Sequence, residues 1–301
     1  LDAEYGVQGF VTQDHSSSTY VWLYRLAAVC SRHLPRRFSY WLGLRIADLY
    51  FWRRATARQA VMSNLQRIFA ARGITPATTA LSGFARKTFQ HFGKYLVDFF
   101  RFARLTESEL RRFVNLENAE ALREASARGK GVLVVTAHLG NWEVGGAVIA
   151  ALGYPLNAVA LPQPSKRLDR LFNEQRASRG IRVLPLGHAA FSIVRCLKRG
   201  EIVALLGDRN FNHQTERYEF FGAPALLPRG PAWLAAQTGA PLVPSFLLRQ
   251  EDDTFLLRCH PPIYPEEAGS EAAIRAAWLA ALEKEIAAAP WQWFIFDDFW
   301  A

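Results

Sequence analysis

The segment Thr136-Ala137-His138-Leu139-Gly140-Asn141-Trp142-Glu143 holds the residues of this chain best suited to chemistry. An imidazole and a carboxylate stand five positions apart, with a glycine between them. A carboxylate on one ring nitrogen fixes the tautomer of a histidine and stabilises the imidazolium. The other nitrogen can then take a proton from a hydroxyl. Such a base contributes about 10²–10⁴-fold to a rate. The spacing predicts that a turn through Gly140 folds Glu143 back onto His138, so that Glu143 orients the base. The motif offers no serine or cysteine nucleophile, so direct attack by a substrate's own hydroxyl is the expected chemistry.

Other polar residues are candidates for substrate contact. Arg176 and Arg209 suit a phosphate or a developing oxyanion. Asp208 suits pairing with Arg209 or capping a turn. Arg229 suits a phosphate or a solvated surface. Gly222 and Gly230, with Pro224, Pro228 and Pro231, are expected to shape a loop near the site. Trp291 and Trp293 read as core or interface aromatics. His188, His213 and His260 have no carboxylate at a telling spacing and read as ordinary.

The elements that must position these residues are legible as a change of texture near residue 115. The apolar, β-branched run 131–135 ends just before His138, as a buried strand would. Ligands in open α/β sheets bind at the carboxyl ends of strands. Further strands are expected at 156–160, 181–184, 202–206, 241–248 and 255–259. Helices are expected at 142–152, 166–179, 189–199, 229–238 and 270–288. The alternation predicts an α/β fold: a mixed, largely parallel central sheet flanked by helices. The first 115 residues read as an amphipathic helical part, and 116–301 as the α/β core of one continuous domain. Within the helical part, breaks at Leu34-Pro35 and at Arg72-Gly73 separate helices. A long helix over 77–103 is expected to bury Leu81, Phe84, Ala85, Thr88, Phe92, Tyr95, Leu96 and Phe99.

Charge marks one region. The chain has 301 residues and a net charge of +9. Residues 20–72 hold ten arginines, no lysine and one acid, Asp48, so the remainder is neutral. These arginines alternate with tryptophan, tyrosine, leucine and phenylalanine rather than lining a polar groove, which disfavours nucleic acid. Either a core-packed surface helix or a helix lying on an anionic membrane fits the pattern. No apolar run reaches the ~20 residues needed to span a bilayer. Cys30, Cys196 and Cys259 form no CxxC or zinc pattern and read as free thiols in a reducing compartment. GxSxG, GxGxxG, P-loop and metal-cluster patterns are absent, so a serine hydrolase, a nucleotide cofactor and a metal are not indicated. The first residue is Leu1 and the single methionine is Met62, which raises the expectation of a processed, trimmed or engineered start, with 1–18 partly non-native.

His-x4-acid at a strand end resembles the signature of the glycerolipid acyltransferase superfamily. The longer AHLGNWE is similar to the branch of bacterial lipid A biosynthesis acyltransferases (lauroyl/myristoyl type) and phosphatidylinositol mannoside acyltransferases. Other blocks resemble that family in the same order: KRLDRLFNEQRASRG over 166–180, LLGDRN over 205–210, FFGAPA over 220–225 with PRGPA over 228–232, and PWQWF over 290–294. Asn64-Leu65 and the stretch 86–102 look familial too. Arg176 stands where the family carries a functional arginine. The resemblance implies an O-acyltransferase moving a fatty acyl group from acyl carrier protein or coenzyme A to a glycolipid hydroxyl, a lipid A precursor first. Phosphatidylinositol mannoside or lysophospholipid acceptors, a hydrolase using the same His-Glu pair, and a non-catalytic membrane binder are the alternatives. It further implies no cofactor beyond the acyl thioester, and peripheral or monotopic attachment to the cytoplasmic face of a bacterial inner membrane.

Overall fold

The computed structural model describes residues 18–102, 105–163, 165–185, 189–209 and 215–300. His188 and His213 therefore lie outside the described residues. Four helices come first: α1 (Ser18–His33), α2 (Arg36–Arg53), α3 (Ala55–Ala71) and α4 (Thr78–Phe102). Then follow α5 (Glu107–Phe113), β1 (Val114–Glu117), α6 (Glu120–Ala127), β2 (Val132–Thr136), α7 (Trp142–Ala151), β3 (Leu156–Ala160) and α8 (Lys166–Ala177). Next are β4 (Arg182–Pro185), α9 (Ala189–Lys198), β5 (Ile202–Leu206), β6 (Thr215–Phe220), β7 (Ala223–Pro228) and α10 (Gly230–Thr238). The chain closes with β8 (Leu242–Arg249), β9 (Phe255–Cys259), α11 (Pro265–Ala268), α12 (Glu271–Ala288) and a 3-10 turn at Pro290–Gln292.

The central sheet has seven strands in the order β1-β9-β8-β2-β5-β3-β4. All neighbours run parallel except β8 and β9. β2 lies in the middle, buried on both faces, which is why its sequence is continuously apolar. Its side chains alternate between two cores. Leu133 and Val135 join Val203, Phe246, Trp278 and Leu282 on one face. Val132 and Val134 join Leu122, Val148 and Val243 on the other. β6 and β7 form a separate antiparallel hairpin in the stretch expected to be a loop. Its turn is Phe221-Gly222, both at positive φ.

α4 is the spine of the helical layer. It buries the expected stripe except Phe84 and Leu96, which are half-buried, and also buries Phe89, Phe100 and Phe102, so core packing accounts for its extra aromatics. Phe51, Leu65, Phe89 and Phe92 form a cluster that also takes in Phe294 and Phe296 from the end of the chain. A buried polar knot ties this layer to the sheet. The Tyr40 hydroxyl donates to Asp98 (2.6 Å), and Arg249 at the end of β8 donates to Tyr40 (2.9 Å) and to Asp98.

α2 is apolar on two faces. Tyr40, Ala47 and Phe51 point inward. Phe38, Trp41, Leu49 and Trp52 fall on one stripe at helical spacing and point outward, with Trp52 66% and Trp41 54% exposed. Arg45 lies within that stripe, and Arg37 and Arg53 flank it, all three exposed. The remaining arginines of 20–72 are not all alike. Arg36 donates to Tyr40, Arg58 to the carbonyl of Phe51 and Arg72 to the carbonyl of Ala287. Among the described residues no helix is long and apolar enough to cross a membrane.

Candidate active site

β2 and β5 pair in parallel with Thr136 opposite Leu206. Two residues beyond each of these positions stand His138 and Asp208. The register alone therefore places the imidazole beside the carboxylate, and a hydrogen bond from the Gly207 N–H to the Thr136 carbonyl (2.8 Å) carries the pairing past the strand ends. Asp208 Oδ1 lies 2.9 Å from His138 Nδ1. Its Oδ2 accepts from the His138 backbone N–H (2.9 Å) and from Trp293 Nε1 (3.0 Å).

Asp208 is fully buried. Burial alone would raise its pKa, but the imidazolium charge and the hydrogen bonds from His138 and Trp293 outweigh it, so the carboxyl is held below its ordinary value. An ionised carboxylate can only accept, so Nδ1 carries the proton. In the neutral ring Nε2 then carries the lone pair.

This is a correction to the sequence expectation. Glu143 does not hold Nδ1 of His138; Asp208 does. The carboxylate of Glu143 instead forms a bidentate pair with Arg176, Nη2 to Oε1 at 2.5 Å and Nε to Oε2 at 3.0 Å. Both side chains are about nine-tenths buried. The reason is the turn after β2. Asn141 caps α7 through its side-chain oxygen, which accepts from the Val144 N–H (3.2 Å). That puts Glu143 in the first helical turn, facing the last turn of α8, where Arg176 sits.

The turn itself is held by the end of the chain. Leu139 and Trp293 form an antiparallel bridge. The Phe294 N–H donates to the His138 carbonyl (2.7 Å), and the Gly140 N–H to the Gln292 carbonyl (2.9 Å). Gly140 has φ +65°, and a Cβ there would lie 2.0 Å from the Leu247 carbonyl oxygen. Glycine is required by both conformation and space. Asn64 on α3 fastens the same segment from the other side. Its amide donates to the Asp297 carbonyl (2.9 Å) and its oxygen accepts from the Phe299 N–H (3.0 Å).

A cavity of about 220 Å³ opens beside these residues. His138, Glu143, Arg176, Arg209, Tyr95 and Thr136 supply its polar edges. Leu156, Phe172, Ile181, Ile193 and Leu205 are among its apolar walls. The cavity thus joins one proton-accepting group to a hydrocarbon-lined space. Arg209 lies at its edge with its guanidinium on Asp297 (2.5 Å). Asp208 sits behind His138 rather than among the lining residues, and among the described residues it pairs with neither Arg209 nor a turn. Arg229 is at the N-terminus of α10, half exposed, bound to Glu271 at 2.6 and 2.7 Å. It is not among the lining residues, although Pro228, Gly230 and Pro231 are. His260 is a structural partner of buried Glu285 on α12 (2.9 Å) and is not among the lining residues. Among the described residues no group of three or more His, Cys, Asp or Glu could hold a metal ion.

Two residues of the site were read from sequence only as packing. The sequence reads Trp293 as a core or interface aromatic, yet its indole N–H is one of three donors to Asp208. Its signal was the residue type: a buried indole needs an acceptor. Tyr95 was part of the buried stripe of α4, yet it lines the cavity.

Comparison with known sequences identifies a family and three relatives. The model of a family described as bacterial lipid A biosynthesis acyltransferase matches residues 9–301. Three phosphatidylinositol mannoside acyltransferases are similar. Those of Mycobacterium tuberculosis strains CDC 1551 / Oshkosh and ATCC 25618 / H37Rv are 28% and 27% identical over 291 residues, 93% of this chain and 88% of theirs. That of Mycolicibacterium smegmatis (strain ATCC 700084 / mc(2)155) is 26% identical over 251 residues, 82% of each chain.

Proposed function

Because the chain belongs to the bacterial lipid A biosynthesis acyltransferase family and is therefore an acyltransferase, we propose that it moves a fatty acyl group from an acyl thioester to a hydroxyl of a membrane glycolipid, with His138 as general base. The observation that carries this reading is His138, fixed by Asp208, at the edge of a cavity with hydrocarbon walls. Nε2 takes the proton of the acceptor hydroxyl. Asp208 stabilises the imidazolium that results. The acceptor oxygen attacks the thioester carbonyl, the tetrahedral intermediate expels the thiolate, and the thiolate takes the proton back from His138. Glu143 and Arg176 form the wall beside the reacting groups and keep each other's charge neutralised. The apolar walls receive the acyl chain.

The donor is acyl carrier protein or coenzyme A. The family description favours a lipid A precursor as acceptor, and the names of the mycobacterial relatives favour a mannosylated phosphatidylinositol. The protein meets its lipid substrate on the cytoplasmic face of the inner membrane. The outward stripe of α2 supports that attachment: Trp41, Trp52, Phe38 and Leu49 enter the interface, and Arg37, Arg45 and Arg53 meet anionic headgroups. Each such arginine contributes about 1 kcal/mol near the surface.

The test is a matrix of donors and acceptors read by mass spectrometry. Acyl carrier protein and coenzyme A thioesters are offered with a lipid A precursor, mannosylated phosphatidylinositol, a lysophospholipid, or water alone. Transfer to a glycolipid, lost in a folded His138→Ala protein, is the expected result. Release of fatty acid alone would make the protein a hydrolase. A folded His138→Ala protein with full activity would remove the general base from the mechanism.

A further inference from the structure

The acyl carbonyl oxygen becomes negative as the acceptor oxygen attacks, and a site built for transfer must present a donor to it. The two arginines that line the cavity each already face a carboxylate that offsets their charge, Arg176 that of Glu143 and Arg209 that of Asp297. Resting on the acyl-transfer reading above, we propose that the hydroxyl of Tyr95 is the hydrogen-bond donor to that oxygen.

Tyr95 is 97% buried by its 3% exposure, and it lines the cavity together with His138, Glu143 and Arg176. Among the described residues its hydroxyl has no hydrogen-bond partner, although its backbone carbonyl accepts from Asn141 (3.4 Å). A buried tyrosine hydroxyl ordinarily finds a partner. Here that partner is what fills the cavity. The ring cannot swing away. It stacks on Trp142 at 4.4 Å and 28°, and on Phe92 at 5.4 Å and 21°, with Phe294 tilted against it at 5.9 Å. The same Trp142 ring meets His138 edge-on at 5.1 Å. One indole thus sets both the base and the phenol, with no reorganisation required at the moment of reaction. Burial above all, and then the nearby Glu143 carboxylate, hold the phenol well above its ordinary pKa, so it remains an O–H donor.

The step balances without any added reagent. The acceptor O–H bond breaks and its proton goes to His138 Nε2. A carbon–oxygen bond forms, and the carbonyl π pair moves onto the oxygen that Tyr95 holds. On collapse that pair re-forms the carbonyl, the carbon–sulfur bond breaks, and the thiolate takes the proton from His138.

The experiment compares wild type, Tyr95→Phe, and a protein with 3-fluorotyrosine at position 95, with His138→Ala alongside. Phenylalanine keeps the stacking on Trp142 and Phe92 and removes only the hydroxyl. Tyr95→Phe is expected to lower kcat by about 10²-fold, leaving KM for donor and acceptor and the melting temperature unchanged. Fluorotyrosine restores most of the rate. A Tyr95→Phe kcat within twofold of wild type, a loss confined to KM, or a rate that fluorotyrosine does not restore overturns the proposal. If wild type transfers no acyl group to any acceptor, the functional reading itself fails and this inference falls with it. If wild type transfers, His138→Ala does not and Tyr95→Phe is unaffected, only the role of Tyr95 fails.

Discussion

Replacing Asp208 with asparagine sets the two oxygens of that carboxylate against each other. In the native protein they serve three donors: His138 Nδ1 on Oδ1, and the His138 N–H and Trp293 Nε1 on Oδ2. An asparagine has one acceptor oxygen and must turn its amide nitrogen toward one set. Facing the nitrogen to the Oδ2 position would leave two buried donors unpaired, at about 1–3 kcal/mol each. Facing it to the Oδ1 position leaves one conflict, and the imidazole can resolve it by moving its proton from Nδ1 to Nε2. The second arrangement wins. The tautomer is then inverted, and the nitrogen that faces the acceptor hydroxyl is a donor instead of a base. The expected loss in kcat is about 10³–10⁴-fold, or roughly 4–5.5 kcal/mol, with a melting temperature within a few degrees of wild type. Steady-state transfer kinetics and a thermal melt measure both. If Asp208→Asn keeps more than a tenth of the activity while Glu143→Gln abolishes it, the assignment of Asp208 as orienting group is refuted.

Four other outcomes are expected. Removing one partner of the Glu143–Arg176 pair, as in Arg176→Gln, should destabilise the fold by about 3–5 kcal/mol by stranding a buried charge; the double variant Glu143→Gln with Arg176→Gln should recover part of that in denaturant melts. Gly140→Ala should fail to give folded protein, because its Cβ meets the Leu247 carbonyl; a stable, active Gly140→Ala protein would contradict the turn geometry. His91 is pushed down to about 3 by burial and by Arg249, Lys87 and Lys94, so it stays neutral in the fold while the unfolded chain protonates near 6.5. Its contribution to stability is therefore full above 6.5 and lost as pH falls toward 3, at up to about 1.4 kcal/mol per pH unit, and His91→Leu should flatten that slope in denaturant titrations. Finally, Trp41→Ala with Trp52→Ala should weaken co-sedimentation with anionic vesicles at least tenfold while leaving turnover on a soluble short-chain acceptor intact; loss of both activities would make the stripe part of the core.

Six of the seven strands of the central sheet were legible, because a parallel strand buried on both faces is a short apolar run, as in 132–136 and 202–206; β1 at the sheet edge, mostly exposed and polar, was not. β6 and β7 were not, because Gly222, Pro224 and Pro228 read as loop residues. An antiparallel hairpin with an exposed side tolerates proline in a way a central strand does not. The position of His138 at a strand end was legible for the same reason that β2 was. Its partner was not. Sequence spacing ranks neighbours along the chain, and Glu143 is five residues from His138, whereas Asp208 is seventy away. Only the pairing of β2 with β5 makes Asp208 the nearer group, and strand order is not written in either strand. Two strand ends, each followed two residues later by a side chain that can share a proton, were the available clue. The arginine excess was legible as a surface, but not which arginines the fold would engage: Arg36, Arg58 and Arg72 find carbonyls or a hydroxyl that only the folded chain supplies.

The bridge between Leu139 and Trp293 bears on how the protein comes into being. His138 and its turn leave the ribosome long before the segment that holds them. At about 5–20 residues per second, the interval between His138 and Trp293 is on the order of ten to thirty seconds. During that time Asp208 lacks its indole donor, the Leu139 edge is unpaired, and the Asn64 clasp has nothing to hold. The geometry around His138 is therefore completed only when a segment far along the chain has been made and has docked.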